Sequence, residues 1–221
     1  FPYTTLFRSA TKQAMVRAFR QLEGRCQRGD MVYVHYSGHG QLVTDLNGDE
    51  ARKWTGSHAE WDESWVPYDA QMVYGDGDHG ECHLTDDEVA VLLAGIRGKI
   101  GPQGRLIVVV DACHSCDATC GPEDEPVRGV DTKFCIPRQT GHAACEEIDE
   151  HWLTISACKP YQLSAELKQE RVGKLTFALF KLGRRVFTMS NDELQKHLED
   201  FMLEHKGRMP QTPMVTGKEQ E

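Results

Sequence analysis

Long hydrophobic runs are missing from this chain. Its longest apolar stretches, such as residues 106–110, fall far short of the ~20 residues that span a bilayer, so no membrane association is expected. Dense Lys/Arg runs are missing too. With Lys+Arg 25 against Asp+Glu 34, the net charge is −9 and the pI about 5.6. An acidic chain without a basic patch is a poor partner for nucleic acid or anionic lipid. Neither an internal repeat nor a low-complexity tract interrupts the sequence, and no secretory signal is visible. What is present suffices for one ordinary domain: 221 residues, 39% hydrophobic and 27% charged, enough to build a core.

The ends need separate treatment. Residues 1–9 read like a translated sequencing-adapter oligonucleotide and are set aside as a processing scar. The chain opens with Phe1 and not Met. The expectation is therefore a fragment whose domain runs over residues 10–217, with its upstream part lost and a tail at 218–221.

Periodicity outlines an α/β layered fold with a mostly parallel central sheet flanked by helices. Residues 10–26 place Met15, Ala18, Phe19 and Leu22 on one helical face. Residues 31–36 read as a buried strand, and 105–110 (Arg-Leu-Ile-Val-Val-Val) as the clearest one. Between them, 41–83 is polar and rich in Asp, Gly and Trp, which predicts functional loops with only a weak strand near 64–66. Thr85 with Glu88, and Ser190 with Glu193, form capping boxes that open two helices. A third strand is expected at 152–157, a helix at 174–184 and a short closing strand at 213–215. Residues 116–150 form a second polar, Cys-rich loop.

The chemistry belongs where strands end. In open α/β sheets, ligands bind beyond the carboxyl ends of the strands. The strand at 31–36 runs into Ser37-Gly38-His39-Gly40, and that at 105–110 into Asp111-Ala112-Cys113-His114. Parallel neighbours would deliver His39 and Cys113 to the same edge. An imidazole beside a thiol supplies thiolate and then returns the proton to a departing amine. The backbone N–H groups of Gly40 and Cys113 are the expected oxyanion donors.

Those two segments resemble the histidine and cysteine motifs of metacaspases and bacterial caspase-like peptidases. Further similarity lies in residues 45–50, 61–69 and 84–88, in Ile155-Ser156-Ala157-Cys158, in Ala165-Glu166 and in Gln211-Thr212-Pro213. The resemblance implies a caspase-like fold and a cysteine endopeptidase acting through a thioester, with His39 as acid/base and Cys113 as nucleophile. Cleavage after Arg or Lys is implied as well, Asp111 being the pocket anion and Ser37 a pocket-lining residue. The family's first strand and helix are absent from the sequence. Calcium is the implied activator, with Asp62, Asp86 and Asp87 at matching acidic positions. A further family acid is replaced by Cys120, with Asp117 nearby. Asp45-x-Asn47-x-Asp49 is rejected as an EF-hand start, because its glycine is misplaced and its twelfth position is Gly56.

The second loop allows other readings. Cys116, Cys120, Cys135 and Cys145, with His114 and His142, offer ligands for a tetrahedral zinc. Cys113 and Cys116 form a C-x-x-C spacing whose oxidation would silence the nucleophile. Arg128, Lys133 and Arg138 are candidate self-processing sites. The rival functions are a catalytically silent caspase-fold interaction module and a zinc-binding Cys-rich protein. A working thiol points to the reducing cytoplasm, with protein or peptide substrates as partners.

Overall fold

Two parallel strands form the spine of the molecule. β1 (Met31–Ser37) runs beside β5 (Arg105–Asp111) in unbroken register, from Met31 opposite Arg105 to Ser37 opposite Asp111. β6 (Leu153–Ser156) continues the sheet in parallel on the far side of β5, and β9 (Met214–Thr216) closes it antiparallel. The order is therefore β1-β5-β6-β9. This computed structural model describes residues 9–53, 59–113, 126–137, 148, 151–160 and 162–217.

The side-chain alternation of β5 assigns the two layers. Leu106, Val108 and Val110 point to one face, where they meet Phe19 of α1 (Lys12–Arg25) and Leu93, Ile96 and Ile100 of α3 (Asp86–Ile100). Ile107 and Val109 point to the other. There they pack with Leu175 and Leu179 of α4 (Lys174–Leu182) and Leu194 and Leu198 of α5 (Asn191–Glu204). Because both faces are covered, β5 reads as a continuous apolar run rather than an alternating one. Both predicted capping boxes form, Thr85 with Glu88 and Ser190 with Glu193. Among the described residues, no helix is long and apolar enough to cross a membrane.

The polar stretch 41–83 corrects the expectation of mere loops. It contributes β2 (Gly40–Thr44), a short α2 (Glu50–Lys53) and β3 (Trp61–Trp65), which join β4 (Leu84–Thr85) in a second antiparallel sheet. All five residues of β2 are buried, including Gln41 and Thr44. Polar residues inside a strand erase its apolar signature, and here they are kept in place by hydrogen bonds. The Gln41 side-chain amide donates to the carbonyls of Met72 and Thr132, and its oxygen meets Nε2 of the fully buried His83 at 2.8 Å. The hairpin of β7 (Glu166–Leu167) and β8 (Val172–Gly173) was also not expected, its strands being too short to show a period. The helix expected over 174–184 ends at Leu182 and passes into a 3-10 turn, Gly183–Phe187.

Candidate active site

Parallel pairing of β1 and β5 brings both motif-bearing ends to one edge. Leaving β1, the chain turns through Gly38 and His39 into β2; leaving β5, it passes through Ala112 to Cys113. Ser37 lies opposite Asp111. The two exits touch at Gly40, where a Cβ would stand 1.9 Å from the Cys113 carbonyl oxygen. Only glycine allows that approach.

An aromatic clamp fixes His39. Its carbonyl accepts from the Tyr36 hydroxyl at 2.6 Å and from the Val66 N–H at 3.0 Å. Tyr36 in turn stacks on Trp65, ring centroids 4.3 Å apart. His39 itself is exposed. Desolvation by the cleft walls, helped by the Arg128 guanidinium and opposed by Glu166, holds its pKa below the usual histidine value.

Cys113 is buried, packed with Leu163 and Val127. Its Sγ accepts from the Ser164 N–H at 2.9 Å. The segment that covers it, residues 126–137, lies along the cleft as an added strand. Before Arg128 it runs antiparallel to 164–166: Val127 bridges Ala165, Arg128 N–H donates to Ser164 O at 2.8 Å, and Glu166 N–H donates to Pro126 O at 2.8 Å. Beyond Arg128 it turns parallel to β2, with Val130 N–H on Gly40 O and Phe134 N–H on Leu42 O. Phe134 is fully buried, its ring 4.4 Å from that of His83.

At the centre of this strand, the carbonyl oxygen of Arg128 accepts two hydrogen bonds, from Cys113 N–H at 2.8 Å and Gly40 N–H at 3.3 Å. These are the two donors that the sequence proposes for an oxyanion. The Arg128 side chain enters a pocket formed at the ends of β1 and β5. Its Nη1 donates to Ser37 Oγ at 2.6 Å and approaches the Asp111 main-chain oxygen at 3.5 Å. Its Nη2 stands 3.2 Å from Glu166 Oε1. The wholly buried Asp111 carboxylate accepts from Ser164 Oγ at 2.9 Å, and from Thr176 N–H at 2.9 Å and Thr176 Oγ1 at 2.5 Å. Gly173 forms a wall of the pocket: a Cβ there would fall 2.1 Å from Asp111 Oδ2 and 2.7 Å from Arg128 Nε.

A family model, described as the metacaspase, peptidase C14 domain, matches residues 3–120, more than half of the chain. The chain belongs to the metacaspase family. The family is one of cysteine-type peptidases with an α/β, caspase-like fold, as the resemblance implied. Among curated metacaspases, Metacaspase-1 of Botryotinia fuckeliana is 32% identical over 131 residues, covering 59% of this chain and 27% of that protein. Metacaspase-1 of Schizosaccharomyces pombe is 34% identical over 121 residues, covering 54% and 24%. The match to this metacaspase thus spans about a quarter of the length of these relatives. A crystallised protein of Geobacter sulfurreducens, GSU0716, shares the fold with a TM-score of 0.59 at 20% identity, over 96% of this chain and 76% of that one.

Within this metacaspase domain, a separate acidic nest lies beside β3. Carboxylate oxygens of the buried Asp45, Asp49 and Asp62 stand within 4.8 Å of one another. Burial, followed by the charges of Asp86, Asp45, Asp87 and Asp49, pushes the Asp62 pKa up to about 9. Its Oδ1 is buried without a hydrogen-bond donor. A set of clustered carboxylate oxygens fits a hard cation. The expected Asp62, Asp86 and Asp87 are thus electrostatically joined. Asp45 and Asp49, set aside as an EF-hand start, belong to the same nest.

Sequence reasoning named Arg128 as a candidate self-processing site but did not place it in the pocket, and it noted Glu166 only within the Ala165-Glu166 motif. Ser164 and Thr176, as walls, carried no sequence signal. Of the zinc and redox candidates, Cys116, Cys120, Cys145, His114 and His142 lie outside the described residues, as do Asp117 and Arg138. Cys135 is exposed, its Sγ 3.7 Å from Lys133 O.

Proposed function

We propose that the chain is a cysteine endopeptidase domain that cleaves after Arg or Lys, and that its own Arg128–Gly129 bond is its first substrate. The seating of Arg128 carries this reading: basic side chain in an acid-walled pocket, carbonyl oxygen under two N–H donors, strand pairing on either side. A peptide bond held this way has its carbonyl oxygen on the two N–H groups that would meet an oxyanion, in the backbone pairing of a bound substrate.

His39 takes the Cys113 proton. The thiolate attacks the Arg128 carbonyl carbon, and the negative charge gathering on oxygen is met by the Gly40 and Cys113 N–H groups. His39 then returns the proton to the Gly129 nitrogen as the C–N bond breaks, leaving a thioester on Cys113. Water, deprotonated by His39, opens the thioester to give the Arg128 carboxylate and the restored thiol. With Arg128 gone from the pocket, peptides in trans follow the same course.

Calcium is the proposed activator: Asp62 would hold it with Asp45, Asp49, Asp86 and Asp87, and its positive charge would offset the crowding of these carboxylates. The proposed compartment is the reducing cytoplasm, which preserves a thiol nucleophile.

Fluorogenic peptides ending in Arg, Lys or Asp, assayed with calcium and reductant, test the reading. Hydrolysis of the first two, lost in Cys113→Ala, is the expected result. A second reading, a silent interaction module, is favoured by the occupied cleft; it requires that none of these peptides be cut.

A further inference from the structure

Among the described residues, two carboxylates border the seated guanidinium, and they differ in what they have left to offer it. Asp111 lies at the end of the central strand, fully buried, and its carboxylate is already engaged by Ser164 Oγ and by two donors from Thr176. Arg128 Nη1 meets the main-chain oxygen of Asp111, 3.5 Å away. Glu166 presents Oε1 to Nη2 at 3.2 Å. Its backbone is held on both sides, by the Pro126 carbonyl and by the β8 partner Gly173, while its side chain is 30% exposed.

We infer that Glu166 is a further specificity-determining carboxylate of the basic pocket, making a directed contact with the positive charge of the residue before the cleaved bond. Asp111, whose Oδ2 and the Arg128 Nε both face Gly173, also borders the cation while organising the pocket wall through Ser164 and Thr176. This deepens the peptidase reading and rests on it. Availability separates the two carboxylates. A carboxylate with three short donors in a fixed, buried frame is held in place and cannot follow an incoming cation. A partly solvated one on a two-residue strand can adjust to heads of different reach, guanidinium or ammonium. Asp111 adds background negative potential to any occupant; Glu166 adds the directed, charge-assisted contact.

The test compares peptides ending in Arg with peptides ending in citrulline, the neutral isostere, on the self-processed enzyme and on its Glu166→Gln and Glu166→Asp variants. The expected result is a drop of about tenfold in the Arg:citrulline ratio of kcat/KM for Glu166→Gln, a contact of this exposure being worth roughly that factor, with partial recovery in Glu166→Asp. Equal losses on both peptides, or an unchanged ratio, overturn the inference. A second measurement needs no hydrolysis. In a Cys113→Ala background, urea midpoints of Arg128→Gln, Glu166→Gln and the double variant form a cycle; non-additive midpoints support the pair and additive ones overturn it. Should the wild type cut no peptide while the midpoints remain non-additive, the peptidase reading fails and the Arg128–Glu166 pair survives. Should peptides be cut with an unchanged ratio, only the role of Glu166 fails.

Discussion

The carbonyl oxygen of Arg128 lies 2.8 Å from the backbone nitrogen of Cys113, inside a cradle completed by Gly40. An arginine carbonyl held there is posed for attack. Incubation of the whole chain with calcium and reductant is expected to give a single cut between Arg128 and Gly129, read by intact mass. The rate should be first order and independent of protein concentration, since nucleophile and bond share one chain. Arg128→Gln and Cys113→Ala should stay whole. Lys133, whose ammonium rests 4.9 Å from the Trp61 ring centre, should remain uncut.

Gly40 tests the cradle itself. A methyl group 1.9 Å from the Cys113 carbonyl cannot be accommodated without displacing one oxyanion donor. Gly40→Ala should lower kcat by about 10²–10³-fold, the usual cost of losing one such donor. Circular dichroism should show the fold retained. An unchanged kcat would remove Gly40 from the mechanism.

The acid limb of activity should report His39. Desolvation and the Arg128 cation hold its folded pKa below 6.5. The imidazole thus stays neutral, and competent as a base, to a lower pH than an ordinary histidine. Its contribution to stability has the matching sign: it is present above 6.5 and fades as pH falls through that value, because the unfolded chain takes the proton first. Removing the cation with Arg128→Gln in an uncut Cys113→Ala chain should raise the His39 pKa, read by NMR titration of the imidazole. A downward move would contradict the assignment.

Calcium should act through Asp62. With a folded pKa of about 9 against an ordinary 3.8, this carboxyl keeps a proton that the unfolded chain releases. Its stabilisation is complete below about pH 4 and is lost as pH rises toward 9. Calcium added near pH 8 should raise the Tm, and Asp62→Asn should abolish most of that rise while costing nothing in calcium-free buffer. A full calcium response in the variant would place the ion elsewhere.

Legibility in the sequence followed burial chemistry. β5 was plain because both its faces are apolar, and the capping boxes were plain because their hydrogen bonds are local. The meeting of the His39 and Cys113 strand ends could be anticipated from parallel pairing alone. β2 was hidden, since Gln41 and Thr44 are buried polar residues whose partners, Met72, Thr132 and Phe134, lie 31 to 91 positions away. The pocket was half legible: Ser37 and Asp111 flank recognisable motifs, whereas the approach of Arg128 and Glu166 depends on a strand pairing that leaves no periodic trace.

A peptide tethered to its own cleft is present at an effective concentration on the order of millimolar. Outside polypeptides binding with micromolar strength would find the docking groove taken in nearly every molecule. Proteolysis of other chains would therefore begin only after each molecule has severed itself, a delay written into the backbone pairing of residues 126–137 and requiring no separate inhibitor.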